Sequence, residues 1–226
     1  MEKYAIIVAG GEGTRLGGAL PKQFREVAGR PLLWWSVKAF SDEDPATRII
    51  LVLPQRFFGL WQQLQTELPE EDRLPHSVVA GGASRTESVK NGLRVVPDGE
   101  ECLVAVHDAA RPLLTSAMIS RGWETAARHG GAIPAIPVTD SLRRVEGETS
   151  RAVDRSAFVA VQTPQVFRAR LLKEAYAAHP DAVYSDDATA FEAYGKIPVL
   201  FEGSTDNMKV TNPGDLEIAA LLIGRR

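Results

Sequence analysis

Apolar and polar positions alternate in blocks along the chain, and each block has the periodicity of one kind of element. Short apolar runs predict strands at residues 4–9, 48–53, 77–80, 102–106, 132–138 and 197–201. Apolar positions at helical spacing predict helices at residues 31–40, 57–68, 115–129, 168–178 and 185–194. Strands that alternate with helices are typical of βαβ units, so the pattern predicts an α/β fold with a mostly parallel sheet.

Two further helices are predicted from their first residues. Ser84 and Glu87 have the S-x-x-E spacing of a capping box, and apolar residues follow at helical spacing at Val89, Leu93 and Val96. Asn212 and Pro213 fit the N-cap and the first residue of the last helix. With these helices, residues 1–226 fit a single domain.

One segment, residues 139–161, departs from this pattern. It is polar and rich in arginine, and Glu146 and Gly147 form a turn signal between two extended halves. We therefore predict a β-arm that projects from the domain. Because so polar a hairpin is marginally stable alone, we expect it to pack on another surface, and a second copy of the chain is the simplest candidate.

Composition narrows the classes of function. The net charge of −3 argues against a nucleic-acid-binding protein, which usually carries a basic face. The single cysteine, Cys102, excludes a disulfide framework, and we expect a buried structural thiol. No run approaches the ~18 apolar residues of a membrane span, and no signal-peptide pattern follows Met1. We therefore expect a cytoplasmic protein that binds no membrane.

A glycine-rich loop, residues 10–18, follows the first predicted strand. Five glycines among nine residues let backbone N–H groups converge on an anion, and Arg15 and the nearby Lys22 add positive charge. The loop therefore predicts a polyphosphate site rather than a plain turn. A dinucleotide-binding fingerprint, and with it an oxidoreductase, is disfavoured because Leu16 stands where its third glycine is required, and the Walker pattern is absent.

A second candidate site, residues 107–112, follows a buried strand at the edge where open α/β sheets bind ligands. Asp108 is a candidate ligand for Mg²⁺, and Arg111 a candidate phosphate contact. A turn made of a cap and a salt bridge is the alternative, and His107 is interpreted as structural. Arg155, Thr163, Ser185 and Lys209 are scattered candidates, each weak alone. Asp186 and Asp187 equally fit charges at a helix N-terminus.

Taken in order, the motifs AGGxGTRLG, PKQF, GGxxRxxSV, HDAARP, VDR, QTPQ, DNxKVT and NPxDL extend over nearly the whole chain. In this the sequence resembles the 2-C-methyl-D-erythritol 4-phosphate cytidylyltransferases of the non-mevalonate isoprenoid pathway. The resemblance implies a Rossmann-like nucleotidyltransferase core with three α/β/α layers, and a homodimer with a swapped β-arm. It implies CTP and a small phosphorylated polyol as substrates, and Mg²⁺ as cofactor.

The resemblance also implies roles for individual residues. Arg15 and Lys22 match the pair that stabilises the transition state, and Arg155 and Lys209 match the pair that positions the substrate phosphate, with Arg155 from the partner's arm. The nucleotide pocket is matched by Ala9, Gly10, Gly11, Gly13, Gly82 and Ser88. The remaining substrate-side positions are matched by Asp108, Arg111, Ser141, Thr163 and Ser185.

Some positions depart from the family pattern. Val8 stands where proline is frequent, Thr86 replaces a small residue near the base, and Ala83 replaces an aspartate that contacts the nucleotide, which puts that contact in doubt. Ser141 and Ser185 replace threonines and keep the hydroxyl. Two alternatives stay open: a ribitol-5-phosphate cytidylyltransferase, which shares the AGG start, and a non-catalytic nucleotide-binding module of the same fold. HDAARP and PVTDSLRR favour the erythritol branch.

Overall fold

The computed structural model describes residues 1–11, 20–99 and 101–225. The strands are β1 (Glu2–Val8), β2 (Glu26–Val27), β3 (Arg30–Pro31), β4 (Arg48–Leu53), β5 (Ser77–Ala80), β6 (Cys102–Asp108), β7 (Gly131–Pro137), β8 (Arg143–Glu146), β9 (Thr149–Ala152), β10 (Val159–Val161), β11 (Gln165–Arg168) and β12 (Val199–Glu202). The α-helices are α1 (Leu32–Glu43), α2 (Phe58–Glu67), α3 (Arg85–Leu93), α4 (Ser116–His129), α5 (Ala169–Ala178), α6 (Asp187–Ala193) and α7 (Pro213–Ile223).

One mixed sheet forms the centre of the molecule. Its order is β10-β7-β11-β6-β1-β4-β5, and β12 also pairs with β7. β5, β4, β1 and β6 are parallel, β11 is antiparallel to both β6 and β7, and β12 is parallel to β7. The parallel half follows the predicted βαβ pattern, and its carboxyl ends lie along one edge of the sheet.

Helices cover both faces of this sheet, as the apolar run in β1 predicts. Ala5 and Ile7 face a cluster that contains Phe40 of α1 and Trp123 of α4. Tyr4 and Ile6 face the opposite cluster, with side chains from α3, α5 and α6. Because neighbouring residues of a strand point to opposite faces, a strand buried on both sides must be apolar throughout. The predicted three-layer α/β/α architecture is confirmed.

Several element boundaries differ from the prediction. The strands at residues 48–53 and 77–80 are confirmed, whereas α1 begins at Leu32, with Pro31 as its N-cap, and continues to Glu43. The short strand β11 was not predicted, because its four residues follow a Thr-Pro turn signal and run directly into α5. No helix among the described residues has the length and apolar character needed to cross a membrane.

The helix starts show where side chains replace backbone partners. Ser84 caps α3 as predicted, because its Oγ accepts a hydrogen bond from the Glu87 N–H at 3.0 Å. The predicted reciprocal bond is wrong: Oε2 of Glu87 accepts from the Ala83 N–H at 2.7 Å. Asn212 is the N-cap of α7 and Pro213 its first residue, as predicted.

The predicted arm is a real hairpin, but it is shorter than residues 139–161. Within the part of the chain that the structure describes, β8 and β9 pair only with each other, and Gly147 takes a positive φ of 63° in the turn between them. β10 instead pairs with β7 in the central sheet. The predicted arm extended to residue 161 because the sequence alone does not show whether the short run Val159–Val161 pairs within the arm or with β7.

The contact between α3 and β1 generates a stability prediction. A Cβ at Gly92 would lie 2.8 Å from Cγ2 of Ile6, which is fully buried and has no room to move. We expect Gly92→Ala to lower the free energy of unfolding by about 1–2 kcal/mol, because overpacking outweighs the gain in helix propensity. Urea unfolding measures the change.

The matched control is Gly59 in α2, where an added Cβ meets nothing within 4 Å. Gly59→Ala should raise the free energy of unfolding by about 0.5–1 kcal/mol through helix propensity alone. Equal stabilisation by both substitutions would contradict the close approach of α3 to β1.

Candidate active site

The carboxyl ends of β1, β5 and β6 meet at one edge of the sheet. Val8 is in register with Asp108, and the chain turns away from the sheet after each of these strands. A pocket of about 340 Å³ opens there. Of the predicted site residues, those that line it are Ala9, Gly10, Gly11, Lys22, Gly82, Ser88, Asp108 and Lys209. The structure therefore brings together residues from distant parts of the sequence.

The far wall of this pocket depends on a glycine that cannot be replaced. A Cβ on Gly82 would lie 2.3 Å from Cβ of Glu87, so only glycine fits against the start of α3. Oγ of Ser88 accepts a hydrogen bond from the Gly82 N–H at 3.1 Å and donates to the Ser84 carbonyl at 2.9 Å. Ser88 is 2% exposed, so in this state it holds the loop rather than facing solvent.

The opposite wall is a short 3₁₀ turn, Lys22–Phe24. Nζ of Lys22 donates to the Val210 carbonyl at 2.9 Å, and Nε2 of Gln23 donates to the Ala9 carbonyl at 2.9 Å. Gln23 is buried and ties this turn to the end of β1. These bonds place the Lys22 ammonium beside the first residues of the glycine-rich loop.

Asp108, the last residue of β6, is held between two cations. Its Oδ2 accepts from Nζ of Lys209 at 2.7 Å, and its Oδ1 accepts from Nε of Arg85 at 3.4 Å. Burial works to raise the pKa of the Asp108 carboxyl, but the charges of Arg85 and Lys209 outweigh it and hold the pKa well below its usual value. Asp108 is therefore an anion at neutral pH.

A second pocket, of about 170 Å³, adjoins the first. Arg111, Thr163 and Ser185 line it, and the two pockets share Arg85, Asp108 and Lys209. Nη1 of Arg111 donates to the carbonyl of Asn207 at 2.7 Å, which ties the loop after β6 to the segment that carries Lys209. A charged wall thus separates two cavities large enough for small polar groups.

His107 joins two residues that line the second pocket, Arg111 and Thr163. It is fully buried; its Nε2 lies 3.2 Å from the Arg111 carbonyl, and its Nδ1 lies 3.1 Å from Oγ1 of Thr163. The Asp108 N–H donates to the same Thr163 hydroxyl at 3.1 Å. One neutral tautomer satisfies every bond: Nε2–H donates to Arg111, and the Thr163 hydroxyl donates to Nδ1. His107 is too deep to touch a substrate.

Two predicted residues lie elsewhere. Ser141 and Arg155 are exposed at the base of the arm, and neither lines either pocket. Arg155 donates a hydrogen bond to the carbonyl of Thr139. The predictions for Gly13 and Arg15 fall outside the described residues.

A family model described as 2-C-methyl-D-erythritol 4-phosphate cytidylyltransferase matches residues 4–225. The chain belongs to this family. A curated cytidylyltransferase of that name from Porphyromonas gingivalis is 43% identical over 223 residues, which cover 98% of each chain. One from Bacteroides thetaiotaomicron is 43% identical over 224 residues, which cover 99% of this chain and 100% of the relative. The crystal structure of the cytidylyltransferase from Thermus thermophilus has a TM-score of 0.77 at 37% identity, over 98% of each chain.

Within this cytidylyltransferase fold, two residues beside the site, Arg85 and Gln165, received no role from the sequence, and Asp187 was interpreted there equally well as a charge at a helix N-terminus. Arg85 binds Asp187, Asp187 is fully buried, and the Gln165 side chain accepts from the N–H groups at the start of α6. Arg85 had a signal, because it is the arginine of the GGxxRxxSV motif. Its partner could not be found from sequence, since the two residues are 102 positions apart.

The donor groups of this site fit a metal ion that binds together with a phosphorylated ligand. Among the described residues there is no group of three or more His, Cys, Asp or Glu side chains that could hold a cation by itself. Asp108 offers one carboxylate, whose second oxygen is only loosely held by Arg85. Mg²⁺ commonly binds one or two carboxylates together with substrate phosphates and water, so this donor fits a cation that arrives with a triphosphate.

The His107 network predicts a pH dependence of stability in this cytidylyltransferase. Burial lowers the pKa of His107 to about 4, below the value near 6.5 of the unfolded chain. Between these values only the unfolded chain takes up the proton, so the wild type loses up to about 3 kcal/mol as the pH falls from 6.5 to 4. Nothing is lost above pH 6.5 from this group.

His107→Gln should therefore be less stable than the wild type at pH 7.5, and this difference should shrink as the pH falls. Urea unfolding in metal-free buffer from pH 7.5 to 4.5 measures both. His129→Gln, at an exposed position on α4, is the control and should leave the slope unchanged. A constant difference between wild type and His107→Gln would refute the neutral, buried histidine.

Proposed function

We propose that this chain transfers CMP from CTP to 2-C-methyl-D-erythritol 4-phosphate, giving 4-diphosphocytidyl-2-C-methyl-D-erythritol and pyrophosphate. Family membership supports the reaction type. The observation that carries the proposal is the wall formed by Asp108 and Lys209, which the two adjoining pockets share. Two reactants placed in those pockets would meet at this wall.

The chemistry requires positioning and charge stabilisation more than proton transfer. An oxygen of the acceptor phosphate forms a bond to the α-phosphorus of CTP, and the bond from that phosphorus to the β-phosphate oxygen breaks in line. A phosphate monoester is already a nucleophile near neutral pH, so no general base is needed. Because both reactants are anions, the main barrier is their mutual repulsion.

On the nucleotide side, the first pocket offers backbone groups and a cation. Gly10, Gly11 and Gly82 allow the backbone to approach a ligand closely, and Lys22 lies beside them to stabilise a triphosphate. Arg15 is proposed to meet the charge that grows on the α-phosphoryl group and on the leaving pyrophosphate. Ala83 stands where the family pattern has an aspartate that contacts the nucleotide. The backbone around Gly82 is therefore the main proposed support for the nucleoside.

On the acceptor side, Lys209 is proposed to hold the attacking phosphate. Its side chain is 44% exposed and now paired with Asp108, which is 14% exposed. The Lys209 ammonium can therefore leave the Asp108 carboxylate and pair with a phosphate while it stays at the surface of the pocket. Arg111, Thr163 and Ser185 line the pocket that would receive the polyol.

Mg²⁺ is the proposed cofactor, and Asp108 is the residue that would hold it, together with phosphate oxygens of CTP. When bound, the ion would neutralise triphosphate charge at the α-phosphorus. Lys22 would share that task, while Lys209 holds the attacking phosphate.

A homodimer would complete the acceptor pocket. Phe158, Val159 and Val161 expose apolar surface where the arm returns to the sheet, and Val145 is 75% exposed on the arm itself. A second copy is the proposed cover for these side chains. Its arm would bring Arg155 and Ser141 to a site that a single chain leaves without them.

A cytoplasmic location belongs to the same proposal and is supported by the absence of any disulfide framework.

Pyrophosphate release tests the proposed function. With CTP and Mg²⁺, we expect release with methylerythritol 4-phosphate and much slower release with ribitol 5-phosphate. Release with ribitol 5-phosphate but not with methylerythritol 4-phosphate would identify ribitol 5-phosphate as the acceptor. Binding of CTP without release of pyrophosphate with either acceptor would favour the non-catalytic module.

Variants connect this assay to the site. Lys22→Ala and Arg15→Ala should each lower kcat by about 10²–10³-fold, the usual effect of losing one preorganised donor. Lys22→Arg should also fail, because the two cations differ in shape and reach. Lys38→Ala, whose lysine pairs with Asp42 on the surface of α1, is the control and should keep wild-type turnover.

Mixed dimers test whether the arm acts on the partner's site. Arg155→Ala and Lys209→Ala chains should each be nearly inactive alone. In a heterodimer of the two, one site regains both cations and the other loses both, so turnover should return to about half that of the wild type. Two differently tagged chains purified in tandem give the heterodimer. No recovery there would show that the arm does not supply Arg155 in trans.

A further inference from the structure

Arg85 lies between the two pockets and lines both of them. Its Nη2 donates to Oδ2 of Asp187 at 2.7 Å, while its Nε donates to Oδ1 of Asp108 at 3.4 Å. We propose that Arg85 is a positioning residue: tied to Asp187, it holds the Asp108 carboxylate in place while Lys209 moves from Asp108 to the acceptor phosphate. The inference rests on the proposed function and assigns a role to a residue that touches neither reacting atom.

Asp187 is the fixed end of this chain of charges. It is fully buried, its Oδ1 accepts from the Tyr176 hydroxyl at 2.7 Å, and its N–H donates to Oε1 of Gln165 at 3.0 Å. A buried residue that is held through both its carboxylate and its backbone N–H cannot follow a substrate. Arg85 is therefore anchored on the side away from the reaction and reaches toward the reaction with its weaker bond.

The need for Arg85 follows from counting charges. With Lys209 in place, Arg85 and Lys209 balance Asp108 and Asp187. When Lys209 turns to the acceptor phosphate, the largely buried Asp108 carboxylate would depend on the bound Mg²⁺ alone if Arg85 were not beside it. An unpaired buried charge is strongly unfavourable, so Arg85 makes the exchange of Lys209 possible.

The start of α3 also holds the acceptor pocket. Oγ1 of Thr86 accepts from the Tyr184 N–H at 2.9 Å, next to the Arg85–Asp187 ion pair. The segment from residue 184 to residue 187 is thus fastened to α3 at two points, and Ser185 lies between them. The Arg85 guanidinium reaches the two carboxylates from two separate atoms, Nε toward Asp108 and Nη2 toward Asp187, whereas an ammonium presents its donors from one point.

Steady-state kinetics at saturating CTP test this role. We expect Arg85→Lys to lower kcat/KM for the acceptor about 10²-fold through misplacement of Asp108 and Ser185. CTP affinity, measured by calorimetry in Mg²⁺-free buffer, should change less than about threefold, since the glycine edges of the nucleotide pocket do not depend on Arg85. All assays are run at a temperature where unfolding curves show every variant fully folded.

Further variants separate positioning from folding. Asp187→Asn should lower kcat/KM in the same direction, and the Arg85→Lys, Asp187→Asn double variant should be no worse than the poorer single variant by more than about threefold, because the two residues act as one unit. Arg94→Lys, an exposed arginine just after the same helix, should be unchanged. Multiplied losses, or equal losses of CTP affinity and acceptor kcat/KM, would overturn the proposal.

A crystal structure of the Arg85→Lys variant gives a readout that needs no turnover. We expect the Asp108 carboxylate and Ser185 to move by more than about 1 Å relative to the wild type. Unchanged positions would overturn the role of Arg85 even if the enzyme is active. A wild type that releases no pyrophosphate would instead remove the proposed function, and this structural comparison would still decide whether Arg85 positions Asp108.

Discussion

A buried carboxylate that must always have a cation is the constraint on which this site depends. Asp108 lies at the end of a fully covered strand, and leaving it unpaired there would be costly. The fold meets this need from two directions. Arg85 approaches from the nucleotide side, and Lys209 approaches from the segment before α7. Because the partners come from different elements, one can leave while the other stays. The site can thus bind two anions in succession while the negative charge of Asp108 stays paired with a cation.

The surroundings of Asp108 are built for rigidity, which sharpens this electrostatic design. Its N–H is held by Thr163, whose hydroxyl is in turn held by a neutral, buried histidine. Asn207 is fully buried and ties the Lys209 segment to Thr163 and to Arg111. Charge stabilisation is most effective when donors need not reorganise during the reaction. Among the described residues of the shared wall, only Lys209 combines a long, flexible side chain with substantial exposure.

Most of the architecture follows from the sequence, because its determinants are local. Continuous apolar runs predict strands covered on both faces, and Ser84 and Asn212 mark helix starts that the structure confirms. The errors share a cause. β11 and the return of β10 to the sheet depend on pairing with β6 and β7, so no local signal reveals them. The same holds for the site: glycines and isolated cations can be read from spacing, whereas the pairing of Arg85 with Asp187 depends on tertiary contacts. Arg111, which is predicted to contact a phosphate, also has a structural role because it donates a hydrogen bond to the Asn207 carbonyl.

If the proposed homodimer forms, the division between core and arm would explain why a single chain leaves the acceptor side incomplete. The sheet edge supplies backbone donors and paired charges, and the ion pairs around Asp108 keep it stable without ligand. A further cation in the same pocket would add repulsion that only a bound phosphate relieves. Placing Arg155 at the base of a separate, exposed hairpin avoids this cost, since a solvated guanidinium away from the pocket needs no buried partner. In the proposed homodimer, an arm that delivers its charge across the interface would let the site of the single chain stay balanced, while the assembled site would carry the excess positive charge that two phosphates require.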